Sequence, residues 1–162
     1  MKGDPKVLTL LNQVLRKELT GINQYFLHAR MCANWGYHVL AKRLRTESID
    51  EMKHADLVME RLLFLDGTPN MAEIDRLFIG KNVRDQLKSD LGLEMAAIEV
   101  LRPGIDLCVK VSDHATRELL EHILEEEEHH VDWLEAQLHQ IEEMGYENYL
   151  TTLVGGEEVK AG

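Results

Sequence analysis

The sequence predicts an all-α protein, a four-helix bundle with one long crossover and a short fifth helix. Apolar residues recur at steps of three and four over long segments, and the breaks between segments fall at glycine, proline and aspartate. The chain has only 3 prolines among 162 residues, which favours helix. Its content of 44% hydrophobic and 29% charged residues is typical of one globular domain with a buried core.

The first two helices are predicted from their start and stop residues. Asp4 precedes a proline, and an aspartate at that point can cap free backbone N–H groups, so a helix is predicted over residues 5–35. Gly36 marks its end. A second helix is predicted over residues 39–65, and the Asp-Gly-Thr-Pro sequence at 66–69 stops it.

The third and fourth helices follow a long connection. Residues 67–81 have no convincing period, and a connection of this length can lead the chain to the far end of a bundle. The second and third helices therefore need not be antiparallel neighbours. The third helix is predicted over 82–111, with a kink near 99–103 because Pro103 removes a backbone hydrogen bond. The fourth helix is predicted over 113–144.

The carboxyl end is predicted to hold a short fifth helix at residues 146–154, after a break at Gly145. Residues 155–162, which contain three glycines, are predicted to form a flexible tail. We therefore expect a single bundle domain over residues 1–154.

The composition bears on the class of function. A net charge of −11 argues against nucleic-acid binding, which favours basic surfaces. No segment approaches the roughly 18 apolar residues that span a bilayer, and the amino terminus has no signal-peptide core, so we expect a cytoplasmic protein with no membrane partner. Cys32 and Cys108 are expected to be buried free thiols, which suits a reducing compartment.

Two carboxylate–histidine sets recur with the same internal spacing and lie 76 residues apart. The sets are Glu18, Glu51 and His54, and Glu94, Glu127 and His130. In each set the second glutamate and the histidine are three residues apart, which puts them on one helix face. Two such sets in register are typical of a pair of metal ions held by a helical bundle.

All four glutamates are predicted to point into the core. Glu51 lies seven residues after Leu44, and Glu94 lies seven after Leu87, so both continue an apolar stripe. Four buried carboxylates repel each other, and two cations would remove that conflict. Oxygen ligands with one histidine per metal favour iron or manganese. Tyr25 is a candidate hydrogen-bond donor to the site, although a core tyrosine with another acceptor is an equal alternative.

Met52 adjoins Glu51 in sequence but points about 100° away on an ideal helix. It lies on a second apolar strip with Ile49, Met59 and Leu63. A helix that is apolar on two sides covers something besides its own core, most simply another subunit. From spacing alone, Met52 is predicted to fill such an interface.

The chain resembles bacterioferritin throughout its length. The most distinctive blocks are NQYFLHARM at 23–31, ESIDEMKHAD at 47–56 and EEEHHVDWLE at 126–135. The resemblance implies a ferritin-like fold, a di-iron ferroxidase centre at the six residues of the two sets, and oxidation of Fe²⁺ by O₂ or H₂O₂. It also implies a 24-mer homo-oligomeric cage that stores ferric mineral, built from twofold dimers.

The resemblance assigns a second cofactor as well. It implies that Met52 is an axial ligand of haem b shared between two subunits, and that a ferredoxin supplies electrons for iron release. Many bacterioferritins have histidine at the position of Thr46, near a further iron site on the inner surface of the cage. Glu47 and Asp50 are present here as possible ligands of that site, and Val58 replaces an aromatic residue of some relatives.

The predicted function is an iron-storage ferroxidase, in which the oxidised iron either moves into the cavity as mineral or stays at the site as a cofactor through which electrons pass. One alternative is a di-iron or di-manganese redox enzyme without mineral storage, because the same ligands serve such enzymes. A second is a structural or haem-carrying bundle without oxidation activity. A mini-ferritin that shields DNA is disfavoured by the acidic charge and by the complete ligand set within one chain.

Overall fold

A computed structural model describes residues 1–155 of the chain, and that part is helical without strands. The helices are α1 (Pro5–Asn34), α2 (His38–Phe64), α3 (Val83–Lys110), α4 (His114–Met144) and α5 (Tyr146–Thr151). The predicted all-α class is confirmed, and the four long helices begin and end within one residue of the predicted bounds. The predicted tail lies outside the described residues beyond Gly155.

The crossover between α2 and α3 runs beside α1 in the same direction. Its hydrogen bonds to α1 advance together along both segments: Asn12 Nδ2 to Thr68 O (3.1 Å), Asp75 N to Thr20 Oγ1 (2.9 Å), and Gly80 N to His28 Nε2 (3.1 Å). The chain therefore returns to the end of the bundle at which α2 began. As a result α2 and α3 run parallel, and the predicted departure from antiparallel neighbours is confirmed.

A buried polar network fixes the end of this crossover. His28 Nε2 accepts a hydrogen bond from Gly80 N, so Nδ1 carries the ring proton and donates to Asp90 at 2.9 Å. Gln24 Nε2 donates to the same Asp90 oxygen at 2.9 Å. Burial raises the pKa of Asp90, although His28 and Gln24 oppose that effect. The network joins α1, α3 and the crossover, and the sequence pattern did not predict it.

The apolar core has two parts, one at each end of the bundle. One part contains Leu11, Leu15, Val58, Leu62, Leu101, Leu120 and Ile123. The other contains Tyr25, Leu40, Leu44, Leu87, Leu134 and Ile141. Between them each helix carries buried charged residues. The two cysteines are buried and free, as predicted.

Two local predictions have different outcomes. Helix α3 continues through Pro103, and the kink there stays a prediction. The apolar residues at steps of three and four that predict α1 include Phe26, but its side chain is 51% exposed. It lies at the edge of the stripe that faces the bundle, and the core is already filled on that side by Ile22, Tyr25 and Ala29. No helix among the described residues is long and apolar enough to cross a membrane.

Asp113 caps α4 and joins it to the end of α2. Its carboxylate accepts hydrogen bonds from Thr116 N (3.0 Å) and Thr116 Oγ1 (2.7 Å), and from Arg61 in the last turn of α2 (2.8 Å). Burial raises the pKa of Asp113, but the bonds from Thr116 and the Arg61 guanidinium outweigh it and hold the pKa below its usual range. The ionised form therefore stabilises the fold.

Replacement of Asp113 by alanine should destabilise the protein by about 1–2 kcal/mol at neutral pH, because α4 loses its cap. The pKa in the folded protein is lowered, so the stabilisation is present above the unfolded pKa of about 4 and is lost as pH falls through the folded value. The melting temperatures of wild type and Asp113→Ala should therefore converge at acidic pH. Asp106→Ala, an exposed aspartate within α3, is the control and should change little.

Candidate metal centre

The six residues of the repeated sets meet in the middle of the bundle, between the two parts of the apolar core. Each long helix contributes: α1 supplies Glu18, α2 supplies Glu51 and His54, α3 supplies Glu94, and α4 supplies Glu127 and His130. All six side chains are buried. The predicted inward direction of the four glutamates is confirmed.

The six residues form two overlapping groups. One group is Glu18, Glu51, His54 and Glu127, and the other is Glu51, Glu94, Glu127 and His130. Within each group the candidate ligand atoms all lie within 4.8 Å of one another. Glu51 and Glu127 belong to both groups, so each can bridge two ions, while Glu18 and Glu94 can each bind one ion at an end.

The two histidines take equivalent places in the groups. His54 Nδ1 lies 3.1 Å from Glu127 Oε1 and 3.3 Å from Glu18 Oε2. His130 Nδ1 lies 3.3 Å from Glu94 Oε1 and 3.5 Å from Glu51 Oε1. The ring centres are 6.5 Å apart and the ring planes differ by 22°. Both imidazoles thus turn the same nitrogen toward the carboxylates.

Several buried atoms of this cluster have no hydrogen-bond partner. They include Glu18 Oε1, Glu51 Oε1, Glu94 Oε2, both carboxylate oxygens of Glu127 and His130 Nδ1. An unpaired buried carboxylate oxygen is costly, and native proteins satisfy such atoms with a partner. These atoms are the ones that the two groups would offer to cations, so the donor set fits a pair of hard metal ions.

The pKa values of the buried glutamates also favour the binding of cations. Burial raises the pKa of Glu18 well above its usual value, and the charges of Glu51 and Glu127 raise it further. Burial and the same two neighbours raise the pKa of Glu94. Burial also acts to raise the pKa of Glu51, but its interactions with Glu18 and the two histidines outweigh it and lower the pKa to about 2. Protons compensate these carboxylates when no cation does.

The histidines complete this charge balance. Burial lowers the pKa of His54 and His130, but the surrounding glutamates outweigh it and raise both values. Cations that bind here would displace protons from both kinds of side chain.

Tyr25 donates a hydrogen bond from its buried hydroxyl to Glu94 Oε1. The prediction of a donor on this side of the site is confirmed. Burial raises the pKa of the Tyr25 hydroxyl, and the charges of Glu94 and Asp90 raise it further, so it stays a donor.

Sequence reasoning missed three contributors to the site. Gly21 lies against the Glu51 side chain, since a Cβ built on it would be 3.1 Å from Glu51 Cγ and 3.3 Å from Oε2. Glu126 contacts His54 Nε2. Arg43 donates a hydrogen bond from Nε to Glu47 Oε1 at 2.5 Å. An isolated helical glycine facing a glutamate was the one available signal, at Gly21.

Comparisons with known proteins agree with this arrangement. The ferritin-like domain family matches residues 8–144. A bacterioferritin of Mycobacterium leprae (strain TN) is 48% identical over 149 residues, which cover 92% of this chain and 94% of that protein. The chain belongs to the bacterioferritin family.

More distant relatives match over the same length. A bacterioferritin of Streptomyces coelicolor is 44% identical over 154 residues, covering 95% of this chain and 92% of that protein. One of Brucella melitensis biotype 1 is 42% identical over 149 residues, covering 92% of each. The membership in the bacterioferritin family therefore rests on nearly the whole chain.

The other predicted site residues lie outside the paired groups. Glu47 and Asp50 form a further group with His130, again with ligand atoms within 4.8 Å of one another. Glu47 is buried and Asp50 is partly exposed. Met52 is 54% exposed on the outer face of α2. The structure thus separates Met52 from its neighbour Glu51, which points inward.

Replacement of Gly21 by alanine should weaken metal binding, because the added methyl group crowds Glu51, a ligand shared by both groups. Calorimetric titration of the metal-free protein with Co²⁺ would measure the affinity. Gly92→Ala is the matched control, since it is also a glycine within a helix and no atom lies within 4 Å of its added Cβ. It should bind Co²⁺ as the wild type does and gain up to about 1 kcal/mol of helix stability. Equal Co²⁺ affinity of the two variants would contradict a role for Gly21.

Proposed function

We propose that this chain is a ferroxidase that oxidises Fe²⁺ to Fe³⁺ at the paired site and stores the ferric iron inside a multi-subunit cage. The observation that carries the proposal is the pair of overlapping buried groups with unpartnered ligand atoms. The relatives named bacterioferritin support iron as the metal.

Each side chain has a distinct part in this reaction. Glu18 and His54 bind one Fe²⁺, Glu94 and His130 bind the other, and the remaining two glutamates bridge them. Because the bridging carboxylates hold both ions close together, one oxidant can take an electron from each ion. Tyr25 keeps Glu94 oriented by its hydrogen bond.

Fe²⁺ and the oxidant together account for all the electrons transferred in this reaction. Two Fe²⁺ ions lose one electron each, and O₂ with two protons becomes hydrogen peroxide. When H₂O₂ is the oxidant, it takes two electrons and two protons and yields two water molecules. The protons displaced from the site by Fe²⁺ are a nearby source, since the pKa values of Glu18 and Glu94 are raised.

Asp50 marks the side on which iron exchanges with the surface. It is partly exposed and shares a group with Glu47 and the buried His130. We propose that a further ion binds there weakly, in transit between the paired site and the inner surface of the cage, and adds no tight equivalent to the two of the paired site. Glu47 and His130 lie on the buried side of this group and Asp50 on its exposed side, which supports a route from the paired site to the surface.

Met52 supports a haem site between two copies of the chain. Its thioether is exposed on α2 together with Ile49 and Leu63, and the neighbouring α1 exposes Phe26. Such a face would suit an apolar porphyrin, and Met52 would hold the haem iron through its sulfur at the contact between the two copies. Haem bound there would transfer single electrons, which a ferredoxin would supply for reductive iron release.

Oxidation of Fe²⁺ tests the main proposal directly. Fe²⁺ added anaerobically should bind at two ions per chain, and air should then oxidise it much faster than a protein-free blank. Glu18→Ala and Glu94→Ala should each slow the oxidation by at least about 10-fold, because each removes an end ligand of one ion. Stopped-flow absorbance measures the rate.

The control is Glu99→Ala, an exposed glutamate on the same helix as Glu94, which should oxidise Fe²⁺ at the wild-type rate. Gel filtration of the same samples separates storage from a simple redox enzyme. A cage-sized particle supports storage, whereas a monomer or dimer with full activity would favour the redox-enzyme alternative. Oxidation no faster than the blank would refute the ferroxidase.

Haem binding should depend on Met52 alone among the exposed methionines. Met52→Leu keeps the volume and apolar character of the side chain but removes the sulfur. Haem added to this variant should therefore not show the visible spectrum of thioether-ligated haem that the wild type shows. Met95→Leu, at a methionine that is 42% exposed on α3, is the control and should bind haem normally. An unchanged spectrum in Met52→Leu would rule out this ligand.

A further inference from the structure

The two histidines of the paired site are held by different supports. Each turns Nδ1 toward the glutamate cluster and Nε2 toward a carboxylate outside it. For His130 that carboxylate is Glu47, whose Oε2 lies 2.7 Å from Nε2. For His54 it is Glu126. A carboxylate in this place fixes the tautomer and orientation of a ligating imidazole and raises its basicity.

The support of His130 is buried and extends to a second layer. Glu47 is only 2% exposed, and its other oxygen accepts the hydrogen bond from Arg43 Nε. The Arg43 guanidinium in turn lies 4.4 Å from the centre of the Trp133 ring. The Arg43 side chain is 40% exposed, but its contacts with the ring and with Glu47 restrict it, and the carboxylate that touches His130 is itself buried.

The support of His54 is open to water. The Glu126 side chain is 42% exposed, and its second oxygen lies 3.7 Å from Nε2 of His122, which is also exposed. Water competes for an exposed carboxylate, and long exposed side chains lose conformational entropy when they are held in one place. Glu126 therefore orients its histidine less firmly than Glu47 does.

The 76-residue repeat that relates the ligands does not extend to the support of His130. Residues 119 and 123, which lie 76 positions after Arg43 and Glu47, are leucine and isoleucine. The second half of the chain thus has no copy of the Arg43–Glu47 pair. The ligands are symmetric in kind, but their surroundings are not.

We propose that Arg43 and Glu47 are positioning residues that preorganise the metal position formed by Glu94 and His130, so that this position binds its ion more tightly than the other. The inference rests on the paired metal site of the proposed function. It adds an order of filling, in which the first ion occupies the supported position. Loss of a support of this kind lowers metal affinity by about 10–100-fold.

Anaerobic titration with Co²⁺, followed by its visible absorption, tests the proposal without oxidation. The wild type should bind two equivalents per chain in two unequal steps. In Arg43→Ala and Glu47→Ala the tighter step should weaken by about 10–100-fold while the other step is unchanged. Glu47→Gln should weaken the tighter step about as much as Arg43→Ala does, because its single amide oxygen can accept from His130 Nε2–H or from Arg43 Nε–H but not from both.

Double variants assign the affected step to one position. In a Glu94→Ala background the supported position is already lost, so Arg43→Ala should have little further effect. In a Glu18→Ala background the supported position remains, so Arg43→Ala should weaken the single equivalent that is left. Additive effects in both backgrounds would mean that Arg43 acts on the whole fold, and would overturn the proposal.

Arg84→Ala is the matched control, because the Arg84 guanidinium also lies over an aromatic ring, 4.5 Å from the centre of Tyr146, but away from the site. It should leave both Co²⁺ steps unchanged. Wild-type binding by Arg43→Ala would overturn the proposal. A loss in Asp50→Asn as large as the loss in Glu47→Ala would mean that the ion held by Glu47 and Asp50, and not the support of His130, sets the affinity, and it would overturn the proposal. Fewer than two equivalents in the wild type would count against the paired site itself.

Discussion

The repulsion among four buried carboxylates is the constraint on which the rest of this structure depends. Glu18, Glu51, Glu94 and Glu127 converge from four helices into a region with almost no access to water. Such a cluster is stable only when protons or cations compensate it. In this bundle the same carboxylates are arranged as two overlapping groups, so the pair of ions in the proposed function would also supply the compensation that the fold needs.

The bundle isolates this polar layer by dividing its apolar core. Leucine-rich clusters lie on both sides of the layer, and they supply the hydrophobic stabilisation that a central polar band cannot. The crossover contributes in a different way. Because it follows α1 and is held by the Asp90–His28 network, it closes the bundle on the side of α1 and α3. It also sets α3 antiparallel to α1, which brings Glu94 opposite Glu18.

The pseudo-twofold relation between the two halves accounts for the candidate ligands but does not extend to the side chains around them. Each half supplies one end carboxylate, one bridging carboxylate and one imidazole. Outside that layer the halves differ, since one imidazole contacts a buried glutamate paired with arginine and the other contacts an exposed glutamate. Two ions bound there would have similar ligands but unequal support. In the proposed ferroxidase this difference would set the order in which the two positions fill.

The sequence alone determined the helices, their order and the inward direction of the six candidate ligands, because all of these follow from local periodicity and from spacing within single helices. The separate directions of Glu51 and Met52 were predictable for the same reason. Only the tertiary structure decided which helices face each other. It therefore revealed the Arg43–Glu47–His130 contact, the Glu126–His54 contact, the approach of Gly21 to Glu51 and the Asp90–His28 network. Most of these join residues on different helices, and periodicity within one helix carries no information about the rotation of its neighbour.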